Sequence, residues 1–201
     1  KECPDPQQRI NRQFIRDFIL ILSNTCMRTG ELKQMRWSDI RGRASAVDDS
    51  GMKVDLITIH IRPETSKTRN FREIITRGGE YFQRIRTYSK FIGKDDYIFP
   101  NSMGANPMDE RQMYPLWYDL MEKTGFRDHQ QRKLTFYSLR HFAITLRLGD
   151  LSIWEVSKLA GTGVQYIEDH YGHFLEEDKK LAALKYTKRK RTRVSKEVVW
   201  D

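Results

Sequence analysis

Only one region of this chain places apolar residues on a period of two. From Leu56 to Ile61, the residues Leu56, Thr58 and His60 fall on one side of an extended backbone, and Ile57, Ile59 and Ile61 fall on the other. A second run, Phe71–Thr76, follows after a polar loop, and Gly78-Gly79 closes the unit. That reads as a strand pair, too small to be a domain by itself, so it must be covered by whatever surrounds it. The surroundings are helical. Phe14, Phe18 and Leu22, with Ile15 and Ile19 beside them, predict a helix over 8–25, and a short helix from Glu31 presents Leu32, Met35 and Trp37. Beyond the strands, a helix carries Tyr81, Ile85 and Tyr88, residues 101–106 read as a loop, and a helix spans 113–123. The next helix, 138–148, is expected to turn Leu139, Phe142, Ala143 and Leu146 inward. Ser152 and Glu155 have the spacing of a capping box for a helix ending at Gly161; helices at 164–170 and 176–186 complete the pattern, the last with Leu181 and Leu184. The fold class this predicts is mainly α with a small antiparallel β-sheet, that is, α+β.

A length of 201 residues suits one such domain with a tail. The tail is visible in the charge. Of a net +9, residues 185–201 supply +5, from seven basic groups against Glu197 and Asp201. The expected organisation is therefore a domain over 1–186 and a basic C-terminal tail over 187–201. Such a tail either tracks the phosphates of a polyanion or is a solvated end. The longest apolar run, around Phe18–Leu22, falls far short of the roughly 18 residues a membrane span needs. Lys1–Asp5 has no signal-peptide pattern, and Cys3 and Cys26 lack metal-ligand spacing, so the expected setting is cytoplasmic with reduced thiols and no membrane partner.

Several chemistries lack their residues. No HExxH, Gly-rich phosphate loop or GxSxG is present. The acidic pairs Asp48-Asp49 and Asp95-Asp96 lie in turns, and His170 and His173 flank Tyr171 without further ligands close in sequence, so neither a cofactor nor a metal is expected. Four other segments carry reactive groups. Thr25-Cys26-Met27-Arg28-Thr29-Gly30-Glu31 puts an arginine in a break between helices, and Thr65-Ser66-Lys67-Thr68-Arg69 puts a lysine between strands. Tyr137-Ser138-Leu139-Arg140-His141 opens a helix, with Tyr137 and Arg140 at i, i+3. Gly161-Thr162 stands nine residues before Tyr171, counted from the threonine.

In this order and spacing the four segments, which span about residues 8–185, resemble the tyrosine recombinases of the phage integrase family. The resemblance implies a catalytic domain in which Arg28 is the first catalytic arginine, Glu31 its buttress, Lys67 the hairpin lysine, Arg140 the second arginine and Tyr171 the nucleophile. Tyr137 and Thr162 occupy positions where the family commonly has histidine, or histidine or tryptophan. Their hydroxyls can donate to a phosphate oxygen, but neither exchanges protons as an imidazole does near neutral pH. The implied activity is site-specific cleavage and rejoining of double-stranded DNA through a 3′-phosphotyrosine, by a homotetramer on synapsed DNA, with the state without DNA, a monomer among the options, left open. The family's N-terminal core-binding domain is expected to lie outside this fragment. Two alternatives stay open: a non-catalytic module, since Ser152–Tyr171 also reads as a helix-turn-helix, and a degenerate relative that binds DNA without cutting it. A topoisomerase-like or telomere-resolving enzyme would use the same tyrosine chemistry.

If the tail tracks phosphates, deleting 187–201 weakens DNA binding and flattens its salt dependence, the logarithmic slope falling by about 0.9 for each phosphate the chain no longer neutralises. Filter binding across a salt series measures this; an unchanged slope makes the tail a passive end.

Overall fold

The computed structural model describes residues 5–48, 50–67 and 69–172. The helix expected at 176–186, the tail, Cys3 and His173 lie outside these residues. The first helix, α1 (Pro6–Thr25), begins two residues before its periodicity does: Asp5 accepts the Gln7 backbone N–H at 2.9 Å and Pro6 suits the first turn. It stops at Cys26, whose φ of 54° is left-handed. A five-residue helix, α2 (Thr29–Lys33), and a 3-10 turn (Trp37–Asp39) lead into the sheet.

The sheet has three strands, not the expected pair. Strands β1 (Ile40–Val47), β2 (Lys53–Ile61) and β3 (Arg72–Arg77) are antiparallel, with β2 in the centre. Ile57, Ile59 and Ile61 lie opposite Thr76, Ile74 and Arg72 of β3, and Ile57, Ile59, Ile61 and Ile74 are buried. β1 left no alternation in the sequence because only Ala44 of its eight residues is buried. An edge strand needs little hydrophobic signal; this one is held by its ladder and by an Arg43–Asp55 ion pair at 2.7 Å.

Among the described residues, five more α-helices follow in the chain. They are α3 (Gly79–Tyr88), α4 (Glu110–Lys123), α5 (Phe136–Leu148), α6 (Ile153–Ala160) and α7, which is described over 164–172. The helices α1, α3 and α6 pack against the sheet. α4 starts three residues before the expected 113 because Asp109 caps it and Gln112 closes the box. The Ser152–Glu155 box at α6 is present as read. The main core is an edge-to-face series of rings: Phe14 on Phe99, Phe99 on Phe18 and Phe18 on Phe136, with centroids 5.0–6.1 Å apart, against the sheet isoleucines. A second, smaller core gathers Cys26, Ala143, Ile144, Leu148, Val156, Ala160, Ile167 and Tyr171. It fixes α5, α6 and α7 to the turn after α1.

The buried face of α5 differs from the expected one. Phe142 and Leu146 are 55% and 52% exposed, while Phe136, Arg140, Ala143, Ile144 and Leu148 face inward and Leu139 is partly buried. Both stripes have helical spacing. The true one contains a charge, so counting apolar residues selected its neighbour.

One buried charge braces α1 on α3. Asp17, fully buried, accepts from Arg84 Nε at 3.0 Å, Arg16 Nε at 3.1 Å and the Tyr88 hydroxyl at 2.8 Å. Burial alone would raise its pKa, but Arg84, Arg16 and Tyr88 outweigh it and hold the carboxyl below its ordinary value. Asp17→Ala, which leaves these donors without their acceptor, is expected to cost about 2–3 kcal/mol. Thermal melts should show a drop of roughly 5–10 °C, and an unchanged midpoint would contradict this bracing role.

Candidate active site

The charged group on which the site converges is Glu31. Its buried carboxylate accepts from the Arg28 backbone N–H at 2.8 Å, Arg28 Nη1 at 2.9 Å, Arg72 Nη1 at 2.9 Å and Arg72 Nη2 at 2.6 Å. Local sequence produces the first half of this arrangement: Arg28 is the extended residue before α2, and Glu31, three residues on, folds back to its N–H in a capping box. Tertiary structure produces the second half, since Arg72 arrives from the start of β3. Burial would raise the Glu31 pKa, but Arg72 and Arg28 outweigh it and keep it below the ordinary 4.5.

Arg28 also reaches across the chain, donating from Nη2 to the Gly161 carbonyl at 2.7 Å. That ties the first arginine to the turn carrying Thr162. Gly161 has φ +60°, and a Cβ there would stand 2.7 Å from the Arg72 guanidinium, so both backbone conformation and space demand glycine. Thr162, partly buried, lines a cleft of about 470 Å³ with Arg72, Lys158 and Asn70.

Arg140 is 2% exposed and donates from Nη1 to the Cys26 carbonyl, two residues before Arg28. Burial and then the positive charge of Arg28 lower its pKa from the ordinary arginine value, so the two guanidinia share one neighbourhood. One turn earlier on α5, Tyr137 is largely exposed, with its ring edge-on to His141 at 5.0 Å. Tyr171, only 3% exposed, lies in the second core with its hydroxyl 2.6 Å from His141 Nδ1. Burial and the neighbouring Tyr166 push its phenol up to about 12, with Arg140 pulling the other way. Tyr166, on α7 one turn before Tyr171, is reached by the fields of both Arg140 and Arg28.

Five of the six sequence-derived residues are therefore linked through contacts or shared neighbours: Arg28, Tyr137, Arg140, Thr162 and Tyr171. Lys67 is not among them. It is exposed on the loop between β2 and β3 and, among the described residues, makes no hydrogen bond or ion pair with the others. Two residues at the centre of the arrangement escape sequence reasoning. Arg72 gave one signal, a charge on the inward-facing register of β3, in line with buried Ile74 and Thr76. His141 lies within one of the four reactive segments, but nothing in its spacing points to Tyr171. Among the described residues no cluster of His, Cys, Asp and Glu suited to a metal occurs, and no helix is long and apolar enough to cross a membrane.

A model of the phage integrase family matches residues 5–173. No curated protein matches the chain significantly. Among solved structures, a crystal structure of XerA recombinase superposes with a TM-score of 0.58 at 20% identity, covering 92% of this chain. The chain spans 64% of that protein's length, so the likeness concerns one part of it and shows the fold.

Glu31→Gln removes the counter-charge of Arg28 and Arg72. Because the folded-state pKa of Glu31 is lowered, its charge stabilises the fold above about pH 4.5, and that contribution is lost as pH falls further. Melts at pH 7 should place the variant well below wild type, the gap narrowing toward pH 3; an equal gap at both values would contradict the ionic role.

Proposed function

The chain belongs to the phage integrase family, and on that premise we propose that it is the catalytic part of a site-specific recombinase. It cuts and reseals double-stranded DNA through a 3′-phosphotyrosine on Tyr171. The observation that carries this reading is the meeting of two arginines from distant segments beside the tyrosine's own core. Arg28 is held by Glu31 and the Gly161 turn, and Arg140 by the Cys26 carbonyl.

Attack on a phosphodiester develops charge on two non-bridging oxygens in a pentavalent transition state. Guanidinia match such oxygens in shape and charge, and arginine does not lose its proton there. Each now donates to a neutral backbone carbonyl, so phosphate oxygens offer a stronger acceptor at the same positions. Fixed positive charge at the site of developing charge supplies most of the catalysis. The hydroxyls of Tyr137 and Thr162 donate to the same oxygens. The departing 5′-oxygen needs a proton; Lys67 brings it once its loop closes on DNA. The phosphotyrosine conserves the bond energy, so resealing calls on no nucleotide cofactor. The working assembly is a homotetramer on two synapsed duplexes, acting in the cytoplasm.

The test is covalent trapping. A pool of nicked duplexes of randomised sequence is incubated with the chain, and DNA-linked protein is recovered under denaturing conditions. Wild type should yield a 3′-linked adduct and Tyr171→Phe none, with DNA binding retained. Arg28→Ala and Arg140→Ala should each slow adduct formation by about 10²–10³-fold, the range for removing one transition-state donor. An adduct with Tyr171→Phe would overturn the assignment; DNA binding with no wild-type adduct would favour a relative that binds without cutting.

A further inference from the structure

A buried phenol pushed up to about 12 is a poor nucleophile unless something takes its proton as it attacks. The arginines do not serve, being already protonated, and the two positions where the family commonly has an imidazole hold Tyr137 and Thr162. Among the described residues, one group hydrogen-bonds the reacting atom. His141 Nδ1 stands 2.6 Å from the Tyr171 hydroxyl, with the rings inclined at 36° and centroids 5.8 Å apart. This contact joins α5 to α7 across thirty residues, and Tyr171 is anchored on its other sides by the second core. We propose that His141 is the general base for Tyr171: its Nδ1 holds the phenol in place and accepts its proton as the phosphotyrosine forms.

The step balances. The Tyr171 O–H bond breaks with its proton passing to Nδ1; the Oη–P bond forms; the P–O5′ bond breaks, and the 5′-oxygen takes a separate proton from Lys67. In resealing, the 5′-hydroxyl returns its proton to Lys67 as its oxygen bonds to phosphorus, the P–Oη bond breaks, and the imidazolium gives its proton back to the departing Tyr171 oxygen. The surroundings suit a base. Burial, then Arg140, then His170 lower the His141 pKa from 6.5, so the ring is neutral at neutral pH. The groups facing it are Arg140 and Tyr137 on α5 and Tyr171 and His170 on α7, with Tyr166 stacked on His170 at 4.0 Å. Arg140 thus serves twice: its charge faces the phosphate and also disfavours a second positive charge on the adjacent imidazole.

The inference rests on Tyr171 being the nucleophile, and the experiment separates the two ideas. A nicked duplex recovered by the trapping assay is used in two forms, with oxygen or with sulfur at the bridging 5′ position. A thiolate leaves without a proton, so the sulfur form removes any need for acid on the leaving group. His141→Ala, which removes both hydrogen bond and base, and His141→Asn, whose amide oxygen keeps an acceptor near Nδ1 but takes no proton, are compared with wild type and Lys67→Ala. Both His141 variants should form adduct about 10²-fold more slowly on either substrate, with DNA affinity unchanged, whereas Lys67→Ala should recover on sulfur. The wild-type rate should fall as pH drops below 6.5, a limb that His170→Gln retains and His141→Asn lacks. Wild-type rates and pH profile in His141→Asn would overturn the proton transfer, and recovery of the His141 variants on sulfur would move their role to the leaving group. In either case Tyr171 remains the nucleophile. An adduct from Tyr171→Phe would instead overturn the parent reading, and this inference with it.

Discussion

Among the described residues, the arginines Arg28, Arg72 and Arg140 gather around one buried carboxylate. Glu31 holds Arg28 and Arg72 at once, and Arg140 is close enough for Arg28 to lower its pKa. Three guanidinia in one partly desolvated neighbourhood repel one another, and only a negative charge in their midst offsets that repulsion. The carboxylate is fixed by its place in a helix-start capping box, so its position depends on local backbone rather than on the partners it neutralises. From it the order spreads outward. Arg28 fixes the Gly161 turn, the turn fixes Thr162 and the start of α7, and α7 delivers Tyr171 to His141.

The same network explains why the site needs a glycine at one turn and accepts a cysteine at another. Gly161 combines left-handed backbone with a guanidinium where a side chain would begin. Cys26 is also left-handed, but its thiol is buried in the second core. Burial, opposed by Arg147, Arg140 and Arg72, pushes that thiol up to about 11, so it behaves as a packing group.

How much was legible in the sequence follows from how far apart the interacting residues are. α1, the β2 alternation and the α6 cap are set by neighbours within a few residues, and these were readable to within a turn. β1 was not, because an edge strand with a single buried alanine obeys its ladder and not its pattern. The α5 face was misassigned because Arg140 occupies an inward position where counting expects an apolar residue. In the site, four separate motifs could be ordered by resemblance, but what joins them could not. Arg72 meets Glu31 across 41 residues, Tyr171 meets His141 across 30, and Arg28 meets Gly161 across 133. Contacts at such separations leave no periodicity; only the inward-facing charge at Arg72 gave a local hint.

The proposed reaction requires Arg28 and Arg140 to exchange backbone carbonyls for the oxygens of a single phosphate. The most direct measurement is a crystal structure of the Tyr171→Phe chain on a nicked duplex. One phosphate touched by both guanidinia is expected, with Glu31 still gripping Arg28 and Arg72 and the substituted phenyl ring directed at phosphorus. A duplex bound elsewhere, with Arg28 still on Gly161 and Arg140 still on Cys26, would contradict it.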